Sequence, residues 1–218
     1  MAIKPLKVTF TTDGSGVYYD PNEPLMLDGL LGWCLAPLHC DSTFPPSRDE
    51  TPVDIPLPLG RWHLDGQWGW CASALFPEGD AEFVTWVRKR FRVNRAELVQ
   101  GNPNLSGSVY HDRNLPFAMN LATRWVGWAL GDRKRVEQLL RKNIRYLGKK
   151  RAAGHGRVVD VKVEWCEQDL SVLRDGRAQR YLPKKDGLRV VRPRPPYWNI
   201  VGAIPCCEIG EEIAFPNG

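Results

Sequence analysis

A glycine-rich basic segment, residues 148–157, holds the side chains whose types and spacing are most suited to chemistry. Its cations are Lys149, Lys150, Arg151 and Arg157, and its glycines are Gly148, Gly154 and Gly156. Glycines let a ligand approach the backbone without meeting a Cβ atom, and exposed backbone N–H groups in such a loop can bind anions. The segment therefore predicts a loop that binds a polyanion, with its cations neutralising phosphates.

His155 suggests a second possible activity for the same segment, the metal-independent cleavage of RNA. That reaction needs a base to activate a 2′-OH, an acid for the leaving oxygen and cations around the phosphate. Lys149 and Lys150 would supply the cations, and Tyr146 or Tyr110 could assist. A lone histidine among glycines is more often a phosphate or base contact, so we expect His155 to bind RNA, with catalysis as the alternative.

A basic helix precedes the loop and an alternating strand follows it. Asp132 is placed to cap the helix, and its apolar stripe consists of Val136, Leu139, Leu140 and Leu147, with Asn143 as a polar member. The opposite face carries Arg133, Lys134, Arg135, Arg141, Lys142 and Arg145 against the single acid Glu137. We expect Arg141, Lys142 and Arg145 to contact the same polyanion as the loop. The strand covers residues 158–165, with Val159, Val161, Val163 and Trp165 on one face.

The rest of the chain supplies the elements that must position the loop. Alternation predicts strands over residues 3–12 and 117–128, and apolar spacing predicts a buried helix over 27–38 that ends by Pro37. Asp65-Gly66 predicts a hairpin between residues 59–64 and 67–76. We expect the three tryptophans of that hairpin, Trp62, Trp68 and Trp70, to pack in the core.

Residues 77–116 predict an arm inserted into the sheet. The segment begins as a strand, turns basic and then becomes rich in glycine, asparagine and serine. Its cations Arg88, Lys89, Arg90 and Arg92 lie close to aromatic residues. Cations and aromatic rings together suit single-stranded nucleic acid, although an irregular surface hairpin is the alternative.

The order of predicted elements is strand, helix, strand pair with the arm, helix and strand. This order predicts an α+β fold, a ferredoxin-like (RRM-like) βαββαβ domain spanning residues 1–218. Residues 168–218 form an irregular, basic C-terminal extension, which could order only with RNA or a neighbouring subunit. Its cations are Arg174, Arg177, Arg180, Lys184, Lys185, Arg189, Arg192 and Arg194.

Composition restricts the class of protein. The 218 residues carry a net charge of +5, concentrated between residues 133 and 157, and no apolar run is long enough to span a membrane. We therefore expect a cytoplasmic, polyanion-binding protein without a membrane partner. We expect its six cysteines to be reduced, buried thiols, and we expect no cofactor and no metal; Cys34, His39 and Cys40 are the alternative ligand set.

The loop resembles the glycine-rich loop of the RAMP superfamily of CRISPR-associated RNA-binding proteins. That pattern reads glycine, apolar, glycine, five residues with a cation, glycine, apolar, glycine. Here the second, third and last glycines are Gly148, Gly154 and Gly156, whereas Tyr146 and His155 replace the first glycine and the second apolar residue. The patches at residues 5–10 and 27–33 also look like those of the subunit that caps the crRNA 5′ handle in type IV CRISPR effector complexes.

The resemblance implies a non-catalytic subunit of an antiviral ribonucleoprotein. It would bind the 5′ handle of the guide RNA and abut the backbone RAMP subunits and other effector-complex proteins, with target DNA nearby. The arm would be a thumb that contacts RNA near the first spacer position. Two alternatives stay open: an endoribonuclease that processes CRISPR precursor RNA, and a protein-only scaffold whose basic faces meet acidic partners.

Overall fold

The computed structural model describes residues 2–20, 22–39, 50–79, 82–89 and 113–213. Within these ranges the protein is α+β, with mostly antiparallel sheets and two α-helices. The first elements are β1 (Lys4–Thr12), β2 (Val17–Tyr19), α1 (Leu27–His39), β3 (Arg61–Leu64), β4 (Gln67–Trp70) and β5 (Phe76–Pro77). The next are β6 (Glu82–Lys89), β7 (Arg113–Asn120), β8 (Arg124–Gly131), α2 (Arg133–Asn143) and β9 (Val158–Trp165). The last are β10 (Leu173–Arg174), β11 (Arg177–Ala178), β12 (Arg189–Val191) and β13 (Ile204–Cys206).

A four-stranded antiparallel sheet with the order β5-β8-β1-β9 forms the centre of the molecule. Alternation along β1 places Leu6, Val8 and Phe10 on its buried face, each fully inaccessible to solvent. They join the apolar residues of α1 and α2 in the largest core. Ile3, predicted in the core, precedes the strand and is 44% exposed.

Both helices occur where the sequence predicts them, but their ends differ. In α2 the Arg135 N–H donates to Asp132 Oδ1 at 2.9 Å, which confirms the predicted cap. The helix ends at Asn143, although Leu147 is still buried, because the chain turns back against the same core. In α1 the helix continues through Pro37 to His39, so the predicted end is too early, although Pro37 has no N–H to donate to the carbonyl four residues before it.

Two strand predictions need correction. Residues 117–128 form two strands in different sheets, β7 and β8, separated at residues 121–123. The Ala122 N–H donates to Asn120 Oδ1 at 2.7 Å in this turn. The prediction of one strand was wrong because apolar residues happen to alternate across the turn as well. In β9, Val159 and Trp165 are about half exposed although Val161 and Val163 are buried. A register shift at Thr11/Thr12 interrupts the alternation at Val159.

The predicted hairpin is β3–β4. Asp65 and Gly66 have φ values of 48° and 71°, the left-handed conformation that a tight two-residue turn requires. Trp62 and Trp70 are buried, as predicted, while Trp68 is only partly buried. The guanidinium groups of Arg61 and Arg194 each lie 4.3 Å from the Trp68 ring centre.

The C-terminal extension packs on this hairpin through an apolar cluster in which Ala178, Leu182 and Cys207 meet Trp62 and Leu64. Most of its charges are neutralised within the chain. Ion pairs join Arg174 to Asp175, Arg177 to Glu212, Arg180 to Asp28, Lys184 to Glu211, Arg189 to Glu208, and both Arg192 and Arg194 to Asp54. Of its eight cations, only Lys185 has no ion pair with a described residue. The extension is therefore less basic toward solvent than its sequence suggests.

Arg180 is the most deeply buried of these cations and is fully inaccessible to solvent. Its Nη2 lies 3.1 Å from Asp28 Oδ2 and donates to the Pro193 carbonyl at 2.6 Å. Its Nη1 donates to the carbonyls of Trp70 and, at 2.8 Å, Ala72. One side chain therefore ties the extension to α1 and to the chain around β4.

Tyr197 completes this buried group. Its hydroxyl lies 2.8 Å from both oxygens of Asp28 and accepts from Arg180 Nη2 at 2.9 Å. Burial raises the pKa of Tyr197 well above its ordinary value. The phenol therefore stays protonated at neutral pH and donates to Asp28, while burial raises the pKa of Asp28 against the opposing effect of Arg180.

Four cysteines, Cys34, Cys71, Cys206 and Cys207, are buried free thiols. Burial raises the pKa of Cys34 and Cys206 to about 12 and that of Cys71 to about 11. Because the thiolate is the reactive form, we expect these four to react with a disulfide reagent at neutral pH only after unfolding. A thiol titration with and without denaturant measures this, and rapid labelling of all six cysteines in the native protein would contradict it.

Neither described helix has the length and apolar character needed to cross a membrane.

Candidate nucleic-acid interface

The glycine-rich loop is closed at its base by backbone hydrogen bonds. The Leu147 N–H donates to the Gly156 carbonyl at 2.8 Å, and the Val158 N–H donates to the Arg145 carbonyl at 2.9 Å. Its outer part is a short 3-10 turn over Arg151–Ala153. The loop is therefore a defined structure that joins α2 to the edge strand β9.

Two of its glycines are required by contacts within the chain. A Cβ atom on Gly148 would lie 2.2 Å from the Tyr18 carbonyl oxygen, and one on Gly156 would lie 2.2 Å from the Leu147 carbonyl oxygen. Both have a φ of +71°, which also favours glycine. Their inner sides are thus occupied by the protein's own backbone.

Gly154 differs from these two glycines. Its φ is +89°, and a Cβ atom there would meet nothing within 4 Å. Of the three glycines predicted to admit a ligand, Gly154 is the one whose Cα faces open space. The sequence pattern treated the three alike, because it contains no information on what packs beside each.

The loop is fastened to the β1–β2 turn, residues 13–16. His155 Nδ1 lies 2.7 Å from the Ser15 carbonyl oxygen, which requires the proton on Nδ1. Ser15 Oγ donates to the Gly154 carbonyl at 3.3 Å and accepts from the Gly156 N–H at 3.2 Å. The role of this turn in holding the loop was missed from the sequence because Ser15 and His155 are 140 residues apart.

The three consecutive cations have different surroundings. Lys149 Nζ lies 3.2 Å from Glu23 and 3.7 Å from Asp20, so its charge is already paired. Lys150 Nζ lies 4.5 Å from the centre of the Phe117 ring. Arg151 is exposed and forms no ion pair with any described residue. A phosphate would thus find Lys150 and Arg151 more available than Lys149.

The basic face of α2 is partly neutralised by Glu137, the single acid of the helix. Glu137 pairs with Arg133 at 3.7 Å and with Arg141 at 3.2 Å. Arg141 also lies 3.4 Å from Asp160 on β9. Lys142 and Arg145 are exposed and have no ion pair within the described ranges, and exposed Arg157 at the end of the loop likewise has none.

An aromatic face lies beside the loop on the three-stranded sheet β2-β7-β6. Tyr18 and Phe83 both pair with Met119, and Phe117 is two residues away on β7, so these side chains share one face. The Tyr18 ring packs edge-on against Phe117 at 6.2 Å and against His155 at 4.6 Å. Phe83 is 41% exposed, and Lys150 joins the face through Phe117.

Sequence reasoning missed this aromatic face. The alternation of Phe117 and Met119 was a usable signal, but their neighbours come from β2 and β6, which are distant in sequence. Of the predicted arm cations, Arg88 and Lys89 lie at the end of β6, with their backbone paired to Asn114 and Arg113. Arg90 and Arg92, like Tyr110, lie outside the described residues.

Within the described part of the chain, no group of three or more His, Cys, Asp or Glu side chains could hold a metal ion, and Cys40 of the alternative ligand set lies outside these residues. A family model described as CRISPR type IV associated protein Csf3 matches residues 4–102 and 113–206. The chain belongs to the Csf3 family. No curated protein is significantly similar to it.

Membership in the Csf3 family confirms the predicted association with type IV CRISPR systems and indicates partners in an effector complex. The Csf3 match includes the loop and both α-helices, so the loop described above belongs to the family region. It leaves out residues 103–112, which lie inside the predicted arm. The RAMP relationship and the contact with the crRNA 5′ handle remain predictions.

Proposed function

We propose that this Csf3-family protein is a non-catalytic subunit that binds the 5′ handle of the guide RNA in a type IV effector complex. The observation that carries the proposal is the contact between Lys150 of the glycine-rich loop and Phe117 of the aromatic face. It joins a cationic loop to a sheet face that carries buried Tyr18, partly buried Phe117 and exposed Phe83. Phosphates and bases of single-stranded RNA require these two kinds of group side by side.

The central sheet supports the ferredoxin-like part of the proposal. Its order is β5-β8-β1-β9, and α1 follows β1 along the chain while α2 follows β8. This agrees with a βαββαβ arrangement in which β1, β5, β8 and β9 are the first, second, third and fourth strands along the chain. In this arrangement β6 and β7 belong to the arm inserted between β5 and β8. The arm then emerges beside the loop, where a thumb would contact the RNA.

Each group has a distinct role in the proposed interface. Arg151, Arg157, Lys142 and Arg145 neutralise phosphates, because they are exposed and unpaired among the described residues. Gly154 leaves space beside its Cα for a phosphate to approach these cations, while its own N–H donates to the Arg151 carbonyl at 2.9 Å. Phe83 offers a ring to a base, and His155 holds the loop in place through Ser15.

The first test is RNA binding and RNA integrity in one experiment. Purified protein is titrated into end-labelled guide RNA and unrelated RNA at two salt concentrations, and each sample is then run on a denaturing gel. We expect salt-sensitive binding that prefers the 5′ repeat segment and leaves the RNA intact. Metal-independent cleavage that a His155→Ala variant abolishes, without loss of binding, would show that the endoribonuclease alternative is right.

Replacing both Lys150 and Arg151 by alanine is expected to reduce the slope of log K against log salt by about 1.4, at about 0.7 for each phosphate that is no longer neutralised. The Lys149→Ala variant is expected to change the slope by less, because Lys149 is paired with Glu23 and Asp20. Lys185→Ala is the matched control, since it removes from the extension a cation that has no ion pair with a described residue. The proposal would be contradicted if the salt slope were unchanged in the Lys150/Arg151 double variant and if Lys149→Ala and Lys185→Ala had equal effects on it. The loop would then not contact the RNA.

A further inference from the structure

An apolar groove of about 270 Å³ lies on the outer side of α1, between residues 52–57 and residues 195–198. Trp33 on one side is 50% exposed and Trp198 on the other is 39% exposed. Val53, which also lines the groove, is 59% exposed. Among the described residues, the groove shares no lining residue with the loop, the β1–β2 turn or the aromatic face of the candidate RNA interface.

The walls of the groove are held in place before anything binds. Tyr197 is fixed by its hydrogen bonds to buried Asp28 and Arg180. A Cβ atom on Gly29 would lie 3.5 Å from the Tyr197 ring, and one on Gly32 would lie 3.7 Å from Pro195, so glycines on α1 let this wall pack closely. A pre-formed apolar site loses little conformational freedom when it binds.

The charge of the groove decides between RNA and protein as its occupant. Its described lining contains no lysine or arginine and one acidic residue, Asp54. Both carboxylate oxygens of Asp54 are bound by Arg194, at 2.9 and 3.0 Å. A groove without an available cation in its described lining does not attract a phosphate backbone, whereas exposed tryptophans beside an apolar pocket are typical of protein–protein contacts.

The family assignment favours another protein over a second copy of the chain as the occupant, because membership in the Csf3 family indicates partners in an effector complex. We propose that the groove is the docking site for a protruding apolar segment of another protein of the type IV complex. This inference rests on the proposed role as a complex subunit, but it does not depend on RNA contact.

The test measures binding of the full-length chain to each purified protein of its own type IV complex, without RNA. Trp33→Glu and Val53→Glu are the test variants, and Leu188→Glu, at a position 89% exposed and outside the groove, is the matched control. We expect each test variant to weaken binding to one partner by about tenfold or more, and the control to leave it unchanged. Denaturant unfolding of each variant separates loss of binding from loss of folding.

Three results would overturn the proposal. They are unchanged partner binding in both groove variants, failure of the wild-type chain to bind any protein of the complex, and loss of a homodimer as the sole effect of Trp33→Glu. RNA binding is measured in parallel, and its salt slope is expected to be the same in the groove variants and the wild type. Loss of RNA binding with retained partner binding in the groove variants would make the groove an RNA site instead. Absence of RNA binding by the wild type, with partner binding sensitive to Trp33→Glu, would contradict the proposed function and leave the docking site supported.

Discussion

Replacing Arg180 by alanine is expected to lower the free energy of unfolding by about 3–5 kcal/mol, because it leaves the Asp28 carboxylate buried without its cation. Arg180 and Asp28 are both fully buried, and the arginine also donates to the carbonyls of Trp70, Ala72 and Pro193. The substitution would thus detach the C-terminal extension from α1 and from the hairpin. Equilibrium denaturation in urea measures the change.

Arg177→Ala is the control for this variant. Arg177 is three residues away and pairs with Glu212 at 2.7 Å, but both side chains are more than half exposed. An exposed pair of this kind contributes about 0–1 kcal/mol. Similar small changes for Arg177→Ala and Arg180→Ala would show that the buried group does not hold the extension in place.

The second large effect is expected for Gly148→Ala. The left-handed backbone costs a non-glycine residue about 1–2 kcal/mol, and breaking the hydrogen bond from the Lys149 N–H to the Tyr18 carbonyl adds about 1 kcal/mol. We therefore expect a total decrease of about 2–3 kcal/mol in the free energy of unfolding. The new methyl group would overlap the Tyr18 carbonyl oxygen, so the loop must also move away from the aromatic face.

Gly154→Ala is the matched control within the same loop. It has the same backbone requirement but no steric neighbour, so we expect a decrease of only about 1–2 kcal/mol and no displacement of the loop. Denaturation and guide-RNA titration of both variants distinguish the two cases. RNA affinity is expected to fall several-fold more in Gly148→Ala than in Gly154→Ala. The opposite order would mean that Gly154, and not the packing at Gly148, controls the interface.

The two candidate surfaces are suited to two different kinds of partner. The loop, the β1–β2 turn and the aromatic face combine cations with rings, as single-stranded RNA requires. The groove beside α1 combines exposed tryptophans with a described lining that offers no available charge, as a protein partner requires. The buried Asp28–Arg180–Tyr197 group supports the second surface, because Tyr197 forms part of its wall.

Local patterns were sufficient for most individual elements. The strand at residues 4–12, both helices and the β3–β4 hairpin follow from periodicity, a capping aspartate and a two-residue turn, all of which act over a few residues. The break between β7 and β8 was missed because alternation continues through the turn at residues 121–123. Periodicity records which side chains alternate, but not whether the chain has left one sheet for another.

By itself, the sequence determined that a loop rich in glycine and cations joins a capped helix to a strand, because those features depend on neighbouring residues. Only the tertiary structure decided which charges are available to a ligand. Lys149 and Lys150 are adjacent, yet one is paired with Glu23 and the other lies over Phe117. Arg180 reads as one more surface cation, yet it is buried against Asp28, which lies 152 residues away along the chain. Electrostatic pairing acts through space, so charges distant in sequence determine whether each cation is free to bind RNA.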